Sequence, residues 1–245
     1  MRFHCLFRAA TVFAAGGFLA SATTLVAVWS PQKLVIGADS SVVTNLPNVL
    51  GCGCKISRDG ESLYAFSGLV EDRLAGYNVQ ALAHEAVRSS PDLSIEVSHF
   101  VALARDPLAR AVAAVKLDEP DQYAYLQQNH PVLQAIFADV EAGPPKLGLA
   151  GFTLAPDGSL IDFSRMITPG DSAPAKGIIY AGQQTHVKEY LNKHRDWSTD
   201  DEATLVRNLI QSEIDASDGV VGGPIDIISV EPNSTHWIQK KPECK

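Results

Sequence analysis

Residues 23–44 have the sequence TTLVAVWSPQKLVIGADSSVVT. Two apolar runs, at positions 24–30 and 33–38, flank Pro31-Gln32, and this pattern predicts a tight β-hairpin. Asp39 follows the second run, where its carboxylate would lie at the buried end of a strand. Lys55 lies between Cys54 and Ile56 in another predicted apolar strand. Because unpaired buried charges are costly, Asp39 and Lys55 are expected to pair, either structurally or within a site.

The residues before this hairpin have the features of a secretory signal peptide. Arg2 and Arg8 give a positive start, residues 9–19 are mostly apolar, and Ala20-Ser21-Ala22 supplies the small residues of a cleavage site. An uncut membrane anchor and an organellar transit peptide are the alternatives, and the Gly16-Gly17 pair weakens the first. We therefore expect residues 1–22 to be removed, leaving one domain over 23–245 that is periplasmic or secreted.

That cleavage would make Thr23 the N-terminal residue. A threonine with its own free amine carries a nucleophile and a base in one residue. If Thr23 is such a nucleophile, export and activation are the same peptide-bond cleavage.

Composition limits the partners and cofactors. The formal net charge is −8, and the leader carries two arginines and no acid, so the mature chain is more acidic still. This argues against nucleic acid and against an anionic membrane surface, and we expect no stable membrane insertion after cleavage. No CxxC or HExxH motif is present, so no metal or cofactor is expected. In an oxidising compartment Cys244 has two candidate disulfide partners, Cys52 and Cys54.

The order of apolar patterns is strands, two helices, strands, two helices, strands, which predicts a single α+β domain with sheets layered between helices. Helices are expected over 72–88 and 94–117, with Pro107 as a kink or break. Residues 118–146 are interpreted as a loop with a short helix, and Thr199 with Glu202 as a capping box before a helix over 203–216.

Three further stretches extend the pattern of the hairpin. The sequence CKI follows at 54–56, LYAFSGLVEDR at 63–73, and DGVVGGPID at 218–226. Together with residues 23–44 they resemble the proteasome β-subunit group of N-terminal nucleophile (Ntn) hydrolases. The resemblance implies a four-layer α-β-β-α sandwich and a homo-oligomeric ring.

The resemblance also implies residue roles. The Thr23 hydroxyl would be the nucleophile and its α-amine the base, and Lys55 would favour the neutral amine and the developing alkoxide. Asp39 would hold Lys55, the Gly68 N–H would donate to the oxyanion, and Asp218 would support the Thr23 end of the site. The implied activity is that of a threonine-type endopeptidase that cleaves peptides or unfolded proteins through a Thr23 acyl-ester. Many members of the group cleave themselves before this threonine, so signal peptidase and self-cleavage both stay open as the reaction that exposes Thr23.

Two family serines are absent. A Ser-Gly pair near the third helix corresponds to residues 180–184, YAGQQ, and a second serine corresponds to Val221. Gln183 or Gln184 is a candidate replacement dipole. Two alternative functions therefore stay open: an amidase or acylase acting on a non-peptide amide, and a catalytically weak scaffold protein.

Overall fold

A computed structural model describes residues 23–43, 50–72, 75–128, 130–139, 144–171, 173–217, 221–242 and 244. Its helices are α1 (Val79–Arg88), α2 (Leu93–Asp118), α3 (Pro120–Leu126), α4 (Thr185–Lys193) and α5 (Glu202–Ala216). Its strands are β1 (Thr24–Ser30), β2 (Lys33–Ala38), β3 (Ser41–Val43), β4 (Leu50–Cys52), β5 (Ile56–Asp59), β6 (Ser62–Gly68), β7 (Glu71–Asp72), β8 (Tyr77–Asn78), β9 (Leu133–Asp139), β10 (Lys146–Leu154), β11 (Leu160–Ile167), β12 (Gly177–Gly182), β13 (Asp226–Glu231) and β14 (Ser234–Gln239). Within these described ranges no helix is both long and apolar enough to cross a membrane.

Two five-stranded antiparallel sheets organise the described residues. The first has the strand order β12-β1-β2-β13-β14 and the second β11-β10-β9-β6-β5. The predicted hairpin is the β1–β2 pair at the centre of the first sheet, where Ser30 lies opposite Lys33 across the turn. β12 lies on the other side of β1, with Gly182 opposite Thr24.

Side chains of β1 alternate between two apolar environments, as the period of a strand requires. Leu25, Ala27 and Trp29 join a cluster that contains residues of both sheets. Val26 and Val28 face the other way and pack against apolar residues of α4 and α5. A third cluster joins α1 and α2 to the outer face of the second sheet. Both faces of β1 are thus buried.

The structure corrects several element predictions. β9 lies within the segment that was interpreted as a loop with a short helix, and it pairs with both β6 and β10. α1 begins at Val79 rather than near residue 72, because the Asn78 side chain caps it by accepting from the Ala81 N–H at 3.0 Å. Pro107 lies inside α2 without ending it.

The predicted capping box of α5 is also wrong. Thr199 lies in a single 3-10 turn, and Asp201 is the N-cap residue of the helix. Its carboxylate accepts from the Thr204 N–H at 3.0 Å. A carboxylate directly before the first helical turn satisfies a donor that Thr199, two residues earlier, does not reach.

Candidate active site

Thr23 immediately precedes β1 and is half-buried. Its carbonyl accepts a hydrogen bond of 2.8 Å from the Gln183 N–H. The neighbouring Thr24 is fully buried, and its hydroxyl donates to the Gln183 carbonyl at 3.2 Å. The hydroxyl of Thr24 therefore has a structural partner, whereas Thr23 is the threonine that reaches the surface at this point.

Asp39 follows β2 and is fully buried. Its Oδ1 accepts from the Thr24 backbone N–H at 2.9 Å and from Lys55 Nζ at 2.6 Å. Its Oδ2 accepts from the Gly222 N–H at 3.3 Å. Hydrogen bonds to a carboxylate are among the stronger ones in proteins, and these three fix the position of the Asp39 side chain. The predicted pairing of Asp39 with Lys55 is therefore present, and it is joined to the backbone next to Thr23.

Lys55 lies just before β5 rather than within a strand, and its side chain is 9% exposed. Burial lowers the pKa of Lys55 from 10.5 to about 8, against the opposing attraction of Asp39. The positive charge of Lys241 lowers this pKa further. Lys55 is therefore charged at neutral pH but close to the point where it loses its proton.

Gly68 ends β6 at a backbone conformation that other residues rarely adopt, with φ of +102°. A Cβ at this position would lie 2.3 Å from the Val132 carbonyl oxygen. The chain turns here so that the Leu69 N–H donates to the same carbonyl at 2.8 Å. The described structure thus requires a glycine at the position where the resemblance places the oxyanion donor.

Sequence reasoning missed three residues beside Thr23. Gly182 has φ of +80°, and a Cβ there would lie 1.8 Å from the Thr23 carbonyl oxygen and 3.2 Å from Ser67 Cβ. The Gly182 N–H donates to Gln134 Oε1 at 3.1 Å, which joins the two sheets. The Ser67 hydroxyl is buried without a hydrogen-bond partner among the described residues. Gln134 gave no signal in the sequence because it lies in a short apolar run that does not distinguish a strand from a helix.

The described part of the glycine-rich segment, residues 221–224, contacts Asp39 and the residue after it. Asp218, the last predicted site residue, lies outside the described residues. Gly222 contributes its N–H to Asp39, and its carbonyl accepts from the Ser40 N–H at 2.7 Å. Val221, where the resemblance would place a serine, is buried. The candidate replacement dipole at Gln183 contacts Thr23 and Thr24 through its backbone.

A disulfide joins Cys54, the residue before Lys55, to Cys244, with a Cα–Cα distance of 5.6 Å. This decides between the two partners that the sequence left open for Cys244. The bridge holds the C-terminal end of the chain against the segment that carries Lys55.

A separate cavity of about 300 Å³ lies at the opposite end of β6. Its lining includes Asp59, Glu96 and Asp139 but none of the predicted site residues. Burial raises the pKa of Glu96. The Oε1 atom of Glu96 accepts a hydrogen bond of 2.7 Å from the Ser62 hydroxyl. No group of three His, Cys, Asp or Glu side chains within the described ranges is placed to hold a metal ion.

No family model matches the chain, and no curated protein matches it. The structure is similar to that of the Anbu Gly-1 mutant from Hyphomicrobium sp. strain MC1, with a TM-score of 0.50 and 16% identity over 90% of this chain and 89% of that one. A second Anbu structure from the same strain gives a TM-score of 0.49 at 17% identity over 89% and 86% of the two chains. A eukaryotic HslV from Trypanosoma brucei gives 0.45 at 16% identity over 85% and 99%.

The likeness to the Anbu mutant shows the fold. The chain has a mixed α+β fold with antiparallel sheets, shared with that protein over nine-tenths of its length. At this identity the chemistry has to be argued from the residues of the site.

Proposed function

We propose that this chain is an exported N-terminal threonine hydrolase, and specifically a threonine-type peptidase whose mature form begins at Thr23. One observation carries the proposal. The Asp39 oxygen that binds the Lys55 ammonium also accepts from the Thr24 N–H. A buried charge pair is thereby fixed to the backbone one residue from the proposed nucleophile.

The proposed reaction begins after the Ala22–Thr23 bond is cut. The Thr23 Oγ attacks the carbonyl carbon of the substrate amide, and its proton passes to the Thr23 α-amine. The C–N bond then breaks, and the leaving amine takes that proton, which leaves an acyl-ester on Thr23. Water hydrolyses the ester with the same amine as base, which restores the Thr23 hydroxyl.

The surrounding residues fit the charges that develop. A free α-amine has an unperturbed pKa of about 7.7–8.0, and a nearby ammonium favours its neutral, basic form. Lys55 supplies that ammonium, and Asp39 holds it in position. The Gly68 N–H is the proposed donor to the oxyanion, a contact whose loss typically lowers the rate by about 10²–10³.

The compartment and assembly are parts of the same proposal. A structural disulfide such as Cys54–Cys244 forms and persists in oxidising compartments, which supports a periplasmic or secreted protein. The three apolar clusters support the four-layer α-β-β-α arrangement. The proposed substrates are peptides or unfolded proteins, and a homo-oligomeric ring is the proposed assembly.

The intact mass of the exported protein tests the first step, because it should correspond to a chain that starts at Thr23. An electrophile that reacts with a hydroxyl and its neighbouring α-amine together should then label that residue. Labelling should be lost in Thr23→Ala and retained in the matched variant Thr24→Val. A retained leader, or labelling that survives Thr23→Ala, would overturn the mechanism.

A peptide library then distinguishes the functions. Turnover of peptides supports the peptidase, and turnover of non-peptide amides alone supports an amidase or acylase. A protein with a free Thr23 that turns over neither is a scaffold. The absence of both serine hydroxyls, in residues 180–184 and at Val221, is the feature that favours this last outcome.

A further inference from the structure

The proposed mechanism leaves one buried ion pair unused. Lys241 Nζ lies 2.9 Å from Asp226 Oδ2, and both side chains are 1% exposed. The Lys241 backbone N–H also donates to Asp226 Oδ1 at 2.8 Å. Asp226 lies opposite Ala38, the residue before Asp39, in the β13–β2 ladder. Two buried lysine–aspartate pairs therefore lie side by side at the same end of the first sheet.

Lys241 also contacts the segment that carries Lys55. Its ammonium donates to the Gly53 carbonyl, two residues before Lys55. Cys244 is bonded to Cys54, the residue between them. Lys55 lies directly before the β5–β6 ladder, which begins at Ile56. We call the two contacts made by Lys241 and Cys244 the C-terminal clamp.

A purely stabilising role explains the clamp poorly. Replacing a buried ion pair by apolar residues of similar size is often neutral or stabilising, so such a pair is weak evidence for stability. The two contacts of the clamp are made with Gly53 and Cys54, the two residues directly before Lys55. A group that must be held within a fraction of an ångström of a reacting atom needs this kind of support from its neighbours.

We propose that the C-terminal clamp positions Lys55 at the active site, so that Lys241 is a positioning residue that acts through Lys55 on Thr23. This inference rests on the proposed function of Thr23. The clamp has two components that can be removed separately. The disulfide fixes the backbone beside Lys55, and the Lys241 ammonium fixes Gly53 and adds a like charge near Lys55.

The charge component gives a direct prediction about Lys55. The charged groups around it are Asp39 at the end of β2, Asp226 on β13 and Lys241 in the C-terminal segment, together with the Thr23 amine once it is free. Lys241 lowers the pKa of Lys55 by repulsion. Removing Lys241 should therefore raise this pKa and extend the charged form to higher pH.

The test compares three variants of the exported protein with the wild type. Lys241→Met removes the ammonium alone, so no negative charge is lost that would oppose the predicted rise in the Lys55 pKa. Asp226 keeps its hydrogen bond from the backbone N–H of residue 241. Cys54→Ser combined with Cys244→Ser removes the disulfide and leaves every charge in place. Lys240→Met is the matched control, because Lys240 is the adjacent lysine and its ammonium lies 4.7 Å above the Trp237 ring instead.

Two measurements distinguish a positioning role of the clamp from a purely structural one. The first is the titration of Lys55 by NMR of ¹³C-labelled lysine side chains, assigned with Lys55→Arg. The second is the rate at which the electrophile labels Thr23, measured against pH. We expect Lys55 to titrate near pH 8 in the wild type and in the control, and measurably higher in the Lys241 variant, with the upper limb of the labelling profile moving by the same amount. Maximal labelling should fall by about tenfold to a hundredfold in both clamp variants.

An unchanged Lys55 titration in the Lys241 variant, or control-like labelling in the cysteine variant, overturns the clamp. If the Lys241 variant does not fold, the cysteine variant decides alone. A wild type that is not labelled at Thr23 overturns the proposed function instead. In that case the NMR titration still decides whether the clamp controls Lys55.

Discussion

The contact between Gly182 and Thr23 gives the sharpest test of the site geometry. In Gly182→Ala the new methyl group would lie 1.8 Å from the Thr23 carbonyl oxygen, far inside van der Waals contact. The Thr23 carbonyl would have to move, and it would lose its 2.8 Å hydrogen bond from the Gln183 N–H. The substitution should therefore displace the proposed nucleophile directly, through one added carbon atom.

Gly170 provides a matched control because it has the same φ of +80° and no atom within 4 Å of where its Cβ would lie. A left-handed conformation costs an alanine about 1–2 kcal/mol, so Gly170→Ala should lower the free energy of unfolding by that amount. Gly182→Ala has the same backbone cost and an overpacking cost of about 1–3 kcal/mol in addition. The difference between the two variants isolates the contact with Thr23.

Urea unfolding and Thr23 labelling together measure the effect. Displacement of a reacting group by about 1 Å can lower a rate by about a hundredfold, so labelling should fall by that factor in Gly182→Ala and stay at the wild-type rate in Gly170→Ala. Equal destabilisation by the two substitutions would show that the close contact is relieved without moving Thr23. Wild-type labelling in Gly182→Ala would refute the proposed position of the nucleophile.

Three further predictions follow from the same contacts. Because burial lowers the pKa of Lys55 to about 8, labelling of Thr23 should decline as the pH rises through 8 rather than through 10.5, and a profile that stays flat to pH 10 would contradict the role of Lys55. Thr24→Val removes the hydrogen bond to the Gln183 carbonyl and should cost about 1 kcal/mol in urea unfolding, with labelling retained. Ser67→Ala removes a buried hydroxyl that has no partner among the described residues, so the free energy of unfolding should stay equal or rise by up to about 1 kcal/mol. Labelling should nevertheless fall in this variant, because Ser67 Cβ lies next to the close contact between Gly182 and Thr23.

The local sequence pattern was sufficient to predict the β1–β2 hairpin. Its two apolar runs are separated by a proline turn, and both faces of β1 are buried, so the sequence pattern and the tertiary environment agree. The sequence pattern did not predict β9, because this strand is also buried on both faces. Its sequence LQAIFAD lies in a central strand with few polar residues to show a period of two, and a short apolar run does not distinguish a strand from a helix.

The partners of the site residues needed the structure. Asp39 and Lys55 were identifiable because charged residues in apolar surroundings require partners. Lys241 gave no such signal, since the ending KKPECK is typical of a solvated tail. Its burial depends on Asp226, which reaches the same place only when β13 pairs with β2. Contacts of this kind join residues that are distant in sequence, and no local pattern encodes them.

The proposed activation has two steps, the cleavage that frees the Thr23 amine and the formation of the Cys54–Cys244 disulfide, and both require export. In the proposed function, cleavage after Ala22 by a signal peptidase would take place during export, and the Cys54–Cys244 disulfide would be favoured only once the chain had reached an oxidising compartment. Before export the chain would lack both the free amine of Thr23 and the covalent half of the clamp on Lys55. A copy expressed without its leader in a reducing cytosol, starting at Thr23 after removal of the initiator methionine, would have the amine but not the disulfide. Its labelling rate should match that of the Cys54→Ser, Cys244→Ser variant and rise to the wild-type rate after oxidation. If the reduced protein is already labelled at the wild-type rate, cleavage alone is sufficient for activation and the disulfide serves stability only.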